Sequence, residues 1–168
     1  CDVENQKSIK KLFDEISNVW GQIDFIVHAM AFSDKTELKG KFYNTTKKNF
    51  NRTMLISSFS LTEISKEAQN LMDINGGSIL TLSYIGGERT TPNYNVMGVA
   101  KASLECSVRY LSVDLGKKNI RINSLSSGPM RTLAGAAISG ARHVFRHSEK
   151  NSPLNKNPSL IEVSRSAL

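Results

Sequence analysis

Two cysteines in 168 residues, Cys1 and Cys106, leave no material for a disulfide framework. Neither belongs to a CxxC pair or stands near a histidine at metal-ligand spacing, so no zinc site is supported. That scarcity fits a reducing, cytoplasmic setting. Long apolar runs are also missing: none approaches the roughly 18 residues that a membrane span needs. There is no internal repeat and no low-complexity tract. With 39% apolar and 22% charged residues, the composition is that of a soluble globular protein, and the length suits one domain with a single core. Acid is the scarcer charge, with 15 Asp and Glu against 22 Lys and Arg, a net charge of +7. Such an excess could serve nucleic acid, an anionic membrane or an acidic protein. The lysines of KSIKK and TTKKN, however, are scattered among helix and loop signals and read as solvated faces, so neither nucleic acid nor membrane is expected as a partner. The opening Cys1-Asp2-Val3 carries no preceding signal, which leads us to expect an internal piece of a longer chain.

What is present is an alternation of helical and strand patterns. From Ser8, the apolar residues Ile9, Leu12, Phe13, Ile16, Val19 and Trp20 recur at helical spacing, and Gly21 stands where a helix would stop. Ile23 to His28 is short, β-branched and aromatic, and its continuous apolar content predicts a buried parallel strand. A polar segment from Phe32 to Asn51 precedes a second helical pattern carrying Phe59, Leu61, Ile64, Ala68 and Leu71. Asn75-Gly76-Gly77 then breaks the chain before a second strand, Ser78 to Ser83. A third helix, from Pro92 to about Leu115 and stopping at Gly116, returns through a strand at Ile120 to Leu125. This order predicts an α/β fold with a parallel sheet, and ligands of such sheets bind beyond the carboxyl ends of the strands.

The end of the second strand carries two tyrosines, Tyr84 and Tyr94, and Lys101 follows. Tyr94 and Lys101 are seven positions apart, so on one helix they differ by about 20° in direction and about 10 Å in height. Both can face one pocket. A neighbouring ammonium would lower the pKa of a phenol from its ordinary value near 10, which predicts Lys101 as the field that activates Tyr94. Spacing alone does not separate this pair from a packed tyrosine and a surface lysine two turns later.

The string LTLSYIGGERTTPNYNVMGVAKASLE resembles the active-site signature of bacterial-type enoyl-acyl-carrier-protein reductases, within the short-chain dehydrogenase/reductase superfamily. In that family six residues separate the tyrosine from the lysine, where most relatives have Tyr-x-x-x-Lys. A tyrosine, matching Tyr84, also stands near the strand end where ketone reductases keep a serine. The resemblance implies a Rossmann-like, doubly wound parallel sheet flanked by helices, with residues 1–168 forming the central and C-terminal part of one domain. The first βαβ unit, with its glycine-rich turn, and the last strand would lie outside these residues. It further implies NADH as cofactor, an enoyl-acyl-carrier protein as substrate and a homotetramer. In that assembly small residues such as Gly98, Ala100, Ala102 and Ser103 would let helices of two subunits approach.

Residue by residue, the resemblance makes Tyr94 the donor to the thioester carbonyl oxygen, Lys101 the holder of the nicotinamide ribose, and Tyr84 and Ser33 part of the substrate site. Asp2 and Val3 match the segment that contacts adenine. His28-Ala29-Met30-Ala31-Phe32 matches the segment whose small residues let the backbone approach the ribose and nicotinamide, with Met30 at the cofactor and Ala31 where glycine is common. Met130, Arg131, Thr132, Leu133 and Ala134 match the nicotinamide and pyrophosphate segment. A mobile substrate-binding segment is expected over about 134–150, with Ala141 where a bulky apolar residue is frequent. Arg142, His143, Arg146 and His147 on it would either steer an acidic carrier protein or form a solvated helix face. The histidines lack a third partner for a metal. Two alternatives stay open. A ketone or β-ketoacyl reductase would normally keep the serine and the shorter tyrosine-to-lysine spacing. A non-catalytic binding module would use the +7 charge and leave Tyr84, Tyr94 and Lys101 without a purpose.

Overall fold

A computed structural model describes residues 1–72, 75–130, 132 and 140–167. The first helix, α1 (Gln6–Trp20), starts because the Asn5 side chain accepts from the Lys7 amide at 3.0 Å. It stops at Gly21, which takes φ 77° and returns its N–H to Ser17 O. Ile9 and Phe13 form its buried stripe. Three strands follow at intervals: β1 (Phe25–His28), β2 (Gly77–Ser83) and β3 (Ile120–Ser126). They pair in parallel in the order β1-β2-β3, with Ile26 opposite Ile79 and Ile79 opposite Ile122. Because side chains alternate across a sheet, this register puts Ile26, Ile79 and Ile122 on one face. There they join a core made with Ile9 and Phe13 of α1, and with residues of the two helices described next.

Between β1 and β2 the chain forms a 3-10 turn (Phe42–Asn44), α2 (Lys47–Met54), a π turn (Leu55–Phe59) and α3 (Ser60–Ala68). After β2 come a 3-10 turn (Ile85–Gly87) and the long α4 (Asn95–Gly116). Leu61, Ile64 and Ala68 of α3 and Leu104, Val108 and Leu115 of α4 close the core over the sheet. Two short helices, α5 (Ala141–Asn151) and α6 (Leu160–Ala167), end the described chain. No helix among the described residues is long and apolar enough to cross a membrane.

Several sequence expectations change. α2 lies in the stretch read as a polar segment; Thr46 caps it, its Oγ1 accepting from the Asn49 amide at 3.2 Å. β1 is shorter than expected and not buried on both faces: Phe25 and Val27 are 69% and 52% exposed. It forms an edge of the described sheet, and these two side chains point away from the helices that cover Ile26 and His28. α4 begins at Asn95 rather than Pro92, because Asn93 and Asn95 take φ of 60° and 33°, a left-handed turn that asparagine tolerates better than most residues. The small residues of α4 serve the monomer first. Ala100 is fully buried, and a Cβ at Gly98 would lie 2.7 Å from Gly86 O. The predicted break at Gly76 is required: with φ 92°, a Cβ there would lie 2.0 Å from Asn119 O.

Candidate active site

The carboxyl ends of all three strands open on one cavity of about 410 Å³. β1 delivers Ala29, Met30 and Ala31; β2 delivers Leu82, Ser83 and Tyr84; β3 delivers Ser127 to Met130, with Thr132 beyond. Tyr94, at the N-cap of α4, and Lys101, two turns along it, complete the inner wall. Val144 and Phe145 of α5 close the outer side. Tyr84 and Tyr94 meet edge to face, with ring centroids 5.1 Å apart and planes at 67°. The turn Ile85–Gly87 holds this geometry. A Cβ at Gly86 would lie 2.5 Å from Tyr94 Cδ1, and one at Gly87 would lie 3.0 Å from Ala102 N. Only a bare backbone lets the turn press this closely onto the start of α4.

Tyr94 and Lys101 are each only 7% exposed, and burial sets their ionisation. The Lys101 Nζ donates to Leu82 O at 2.7 Å. Loss of solvent pulls its pKa down to about 8, against a smaller upward pull from Glu105. Tyr94 is driven far above the ordinary phenol value, by burial first and by Tyr84 second. Tyr84 is raised by burial as well. This corrects the expectation that Lys101 lowers the Tyr94 pKa. Lys101 donates to Leu82 O, while burial and Tyr84 raise the Tyr94 pKa, so the phenol stays neutral and acts as a hydrogen-bond donor.

Behind the cavity lies a polar layer that sequence reasoning did not find. His28 is 1% exposed, with Nδ1 2.9 Å from Thr81 Oγ1 and Nε2 2.8 Å from Ser60 Oγ. The two hydroxyls also lie 3.1 Å from His28 O and 2.7 Å from Ile56 O, respectively. Burial, then the Lys101 charge, lowers the His28 pKa to about 4, so the ring is neutral. The Ser83 hydroxyl donates to the Glu105 carboxylate. A second network anchors the chain after β1: Ser57 Oγ accepts from the Phe32 amide at 2.9 Å, and Asn49 Oδ1 accepts from the Asp34 amide at 2.9 Å.

Of the residues singled out in the sequence, Tyr84, Tyr94, Lys101, Met30, Met130 and Thr132 share the cavity wall. Ser33 does not line it; its hydroxyl faces Thr53 Oγ1 at 3.0 Å and Asn49. Asp2 caps its own turn by accepting from the Glu4 amide at 2.9 Å, and Val3 packs against the main core. Arg131, Leu133 and Ala134 lie outside the described residues. Thr91 lines the cavity without having been singled out for it, and Val144 and Phe145 do so from within the segment expected over about 134–150. The one signal for Glu105 in the sequence was its spacing, four residues after Lys101 on a helix face.

The family model described as "Enoyl-(Acyl carrier protein) reductase" matches residues 1–168. The chain belongs to this family. It is 55% identical, over its whole length, to enoyl-[acyl-carrier-protein] reductase [NADH] 2 of Rhizobium meliloti, covering 62% of that protein. It is 49% identical to the FabI enoyl reductase [NADH] of Rickettsia bellii, covering 63% of it. Among solved structures, FabI from Candidatus Liberibacter asiaticus superposes with a TM-score of 0.96 at 50% identity, over 99% of this chain and 64% of that one. The Anaplasma phagocytophilum enzyme, solved in complex with NAD, gives 0.93 at 48% identity, over 99% and 61%. The chain thus spans about three-fifths of the length of these family members, and its fold is the Rossmann-like one they share.

Proposed function

We propose that the protein to which this chain belongs reduces the trans-2 double bond of enoyl-acyl-carrier-protein thioesters with NADH, the last reductive step of fatty-acid elongation. One observation carries the reading: a neutral, buried Tyr94 beside Tyr84 on a cavity that also holds a buried Lys101. A donor whose proton stays on at working pH suits an oxygen that becomes an enolate, because the hydrogen bond strengthens as charge develops there. A mobile acid with a lowered pKa would suit a ketone.

The cavity fits a nicotinamide. Lys101 spends one of its three ammonium protons on Leu82 O, leaving two for the vicinal hydroxyls of a ribose. Ala29 and Ala31 leave room for a flat ring beside them. When bound, the cofactor supplies hydride to the β-carbon of the substrate. Tyr94 then holds the carbonyl oxygen, while Tyr84 packs against Tyr94 and fixes its ring. Val144 and Phe145 shield the site from water and give the acyl chain an apolar wall. Met130 and Thr132 line the nicotinamide side, with Arg131, Leu133 and Ala134 continuing that segment in the sequence; Asp2 and Val3 are assigned to the adenine end and Ser33 to the substrate side.

The same helix that turns Val144 and Phe145 inward exposes Arg142, His143, Arg146, His147 and Lys150, with Glu149 as its one acid. A basic rim on a segment that closes the cavity favours steering of an acidic carrier protein over a merely solvated face. Exposed Val99, Tyr110 and Val113 on α4 and Phe59 on the π turn support self-association, and we read the assembly as a homotetramer. Cytoplasmic placement follows from this reading of the substrate.

The test is an assay of the intact protein with NADH and either a crotonyl or an acetoacetyl thioester. Oxidation of NADH with the crotonyl substrate is expected. Turnover of the acetoacetyl substrate alone would establish a ketoreductase instead.

A further inference from the structure

Two bonds stitch the end of β2 to α4, one donated from the helix and one from the strand. Lys101 reaches from the helix to Leu82 O, and Ser83, the next residue of the strand, reaches back to Glu105, one helical turn beyond Lys101. Ser83 is buried and Glu105 is half-buried, and because Lys101 and Glu105 are four residues apart on α4 and bonded to successive residues of β2, the carboxylate is held on the same helix face as the ammonium. We propose that Glu105, held by Ser83, is a positioning residue that keeps the Lys101 ammonium charged. This inference rests on the reductase reading for what Lys101 holds, but not for the ionisation itself.

The surroundings single out Glu105. The other ionisable groups near Lys101 are His28 at the end of β1 and Tyr84 and Tyr94 on the cavity wall, all uncharged at neutral pH. The π turn, β2 and the turn Ile85–Gly87 contain no ionisable side chain. Glu88 and Arg89 just beyond that turn are exposed, as are Arg121 of β3, Lys47, Lys48 and Arg52 of α2, Lys66 of α3 and Arg109 and Asp114 on α4 itself. Glu63 and Glu67 of α3 are half-buried, and Glu67 acts on Lys10 of α1. Among the described groups, Glu105 is the one acid that acts on Lys101. Burial has brought the lysine to about 8, close to the pH at which it must work. Without the carboxylate the remaining influence is burial, and the ammonium loses its proton at lower pH.

The decisive variant is Glu105→Gln, which keeps the shape and an oxygen for Ser83 but removes the charge. In the intact protein carrying 13C-labelled lysine, with the Lys101 resonance assigned through Lys101→Arg, the Lys101 titration midpoint should fall by roughly one pH unit in E105Q. The alkaline limb of kcat/KM for NADH should move down with it, giving a roughly fivefold loss at pH 8 and little loss at pH 6. Ser83→Ala, which keeps the charge but frees it, should move the midpoint in the same direction by less, and it remains decisive if E105Q does not fold. A midpoint and an alkaline limb unmoved in both variants would overturn the proposal and leave the Ser83 bond as packing alone. A displaced midpoint in a protein that reduces no enoyl thioester would support the proposal while the reductase reading fails.

Discussion

Tyr94 does its proposed work by not ionising. Its phenol is buried against Tyr84, and burial holds its pKa above the ordinary phenol value, so the proton it offers is present at neutral pH. Tyr94→Phe keeps the ring contact and removes only the donor. Loss of a single donor to a developing oxyanion lowers turnover by about 10² to 10³. Steady-state kinetics of Y94F should therefore show that loss in kcat, with NADH affinity nearly unchanged. At this scale the sequence made it legible that Tyr84, Tyr94 and Lys101 share a wall, and it misread the direction of the Tyr94 shift. Spacing reports which side chains can share a wall; it does not report that Lys101 spends a proton on Leu82 O, or how dry the phenol is. Glu105 and Ser83 stayed hidden for a related reason, since their bond joins a strand to a helix across 22 residues.

Among the elements, the turn Ile85–Gly87 has the largest influence for its size. Its backbone lies so close to Tyr94 that the first carbon of any side chain at Gly86 must move the ring. Displacing a reacting group by about 1 Å costs on the order of 10² in rate. Gly86→Ala should lower kcat by at least tenfold, and circular dichroism should still report a folded protein. A G86A variant with undiminished kcat would show that the ring is not held by this contact. The helices were legible where an apolar stripe marked them, as in α1 and α4. α2 was not, because Lys47-Lys48-Asn49 opens it and burial falls on Asn49 and Thr53. Thr46 at its N-cap was the available signal, worth about 1 kcal/mol to the helix. The left-handed start of α4 likewise left no mark in apolar periodicity; Asn93 and Asn95 are its only trace.

For the whole molecule, the alternation of helix and strand and the parallel pairing of the sheet were readable in advance, because each strand is short and follows a break at glycine or asparagine. The exposure of Phe25 and Val27 was not, since an apolar run does not reveal which face the described chain covers. Stability should carry the signature of His28. Its folded-state pKa is about 4 against an ordinary 6.5, so the unfolded chain takes up the proton first. Stability is therefore unaffected above about pH 6.5 and falls as the pH drops toward 4, by roughly 3 kcal/mol in all. Denaturant midpoints at pH 7, 5 and 4 should show this decline in the wild type and a shallower one in His28→Asn. Equal slopes would assign the decline to other groups.

The environment of His28 also imposes a shortage. Four short polar contacts radiate from it and its two hydroxyl partners, to Thr81, Ser60, His28 O and Ile56 O. A neutral ring and two hydroxyls own three protons between them. One contact must always go unfilled, and the tautomer decides where. With the proton on Nδ1, the Ser60 hydroxyl is contested between the ring and the carbonyl of Ile56 in the π turn; with it on Nε2, the Thr81 hydroxyl is contested between the ring and the strand carbonyl of His28. Strand and helix thus compete for a single hydrogen.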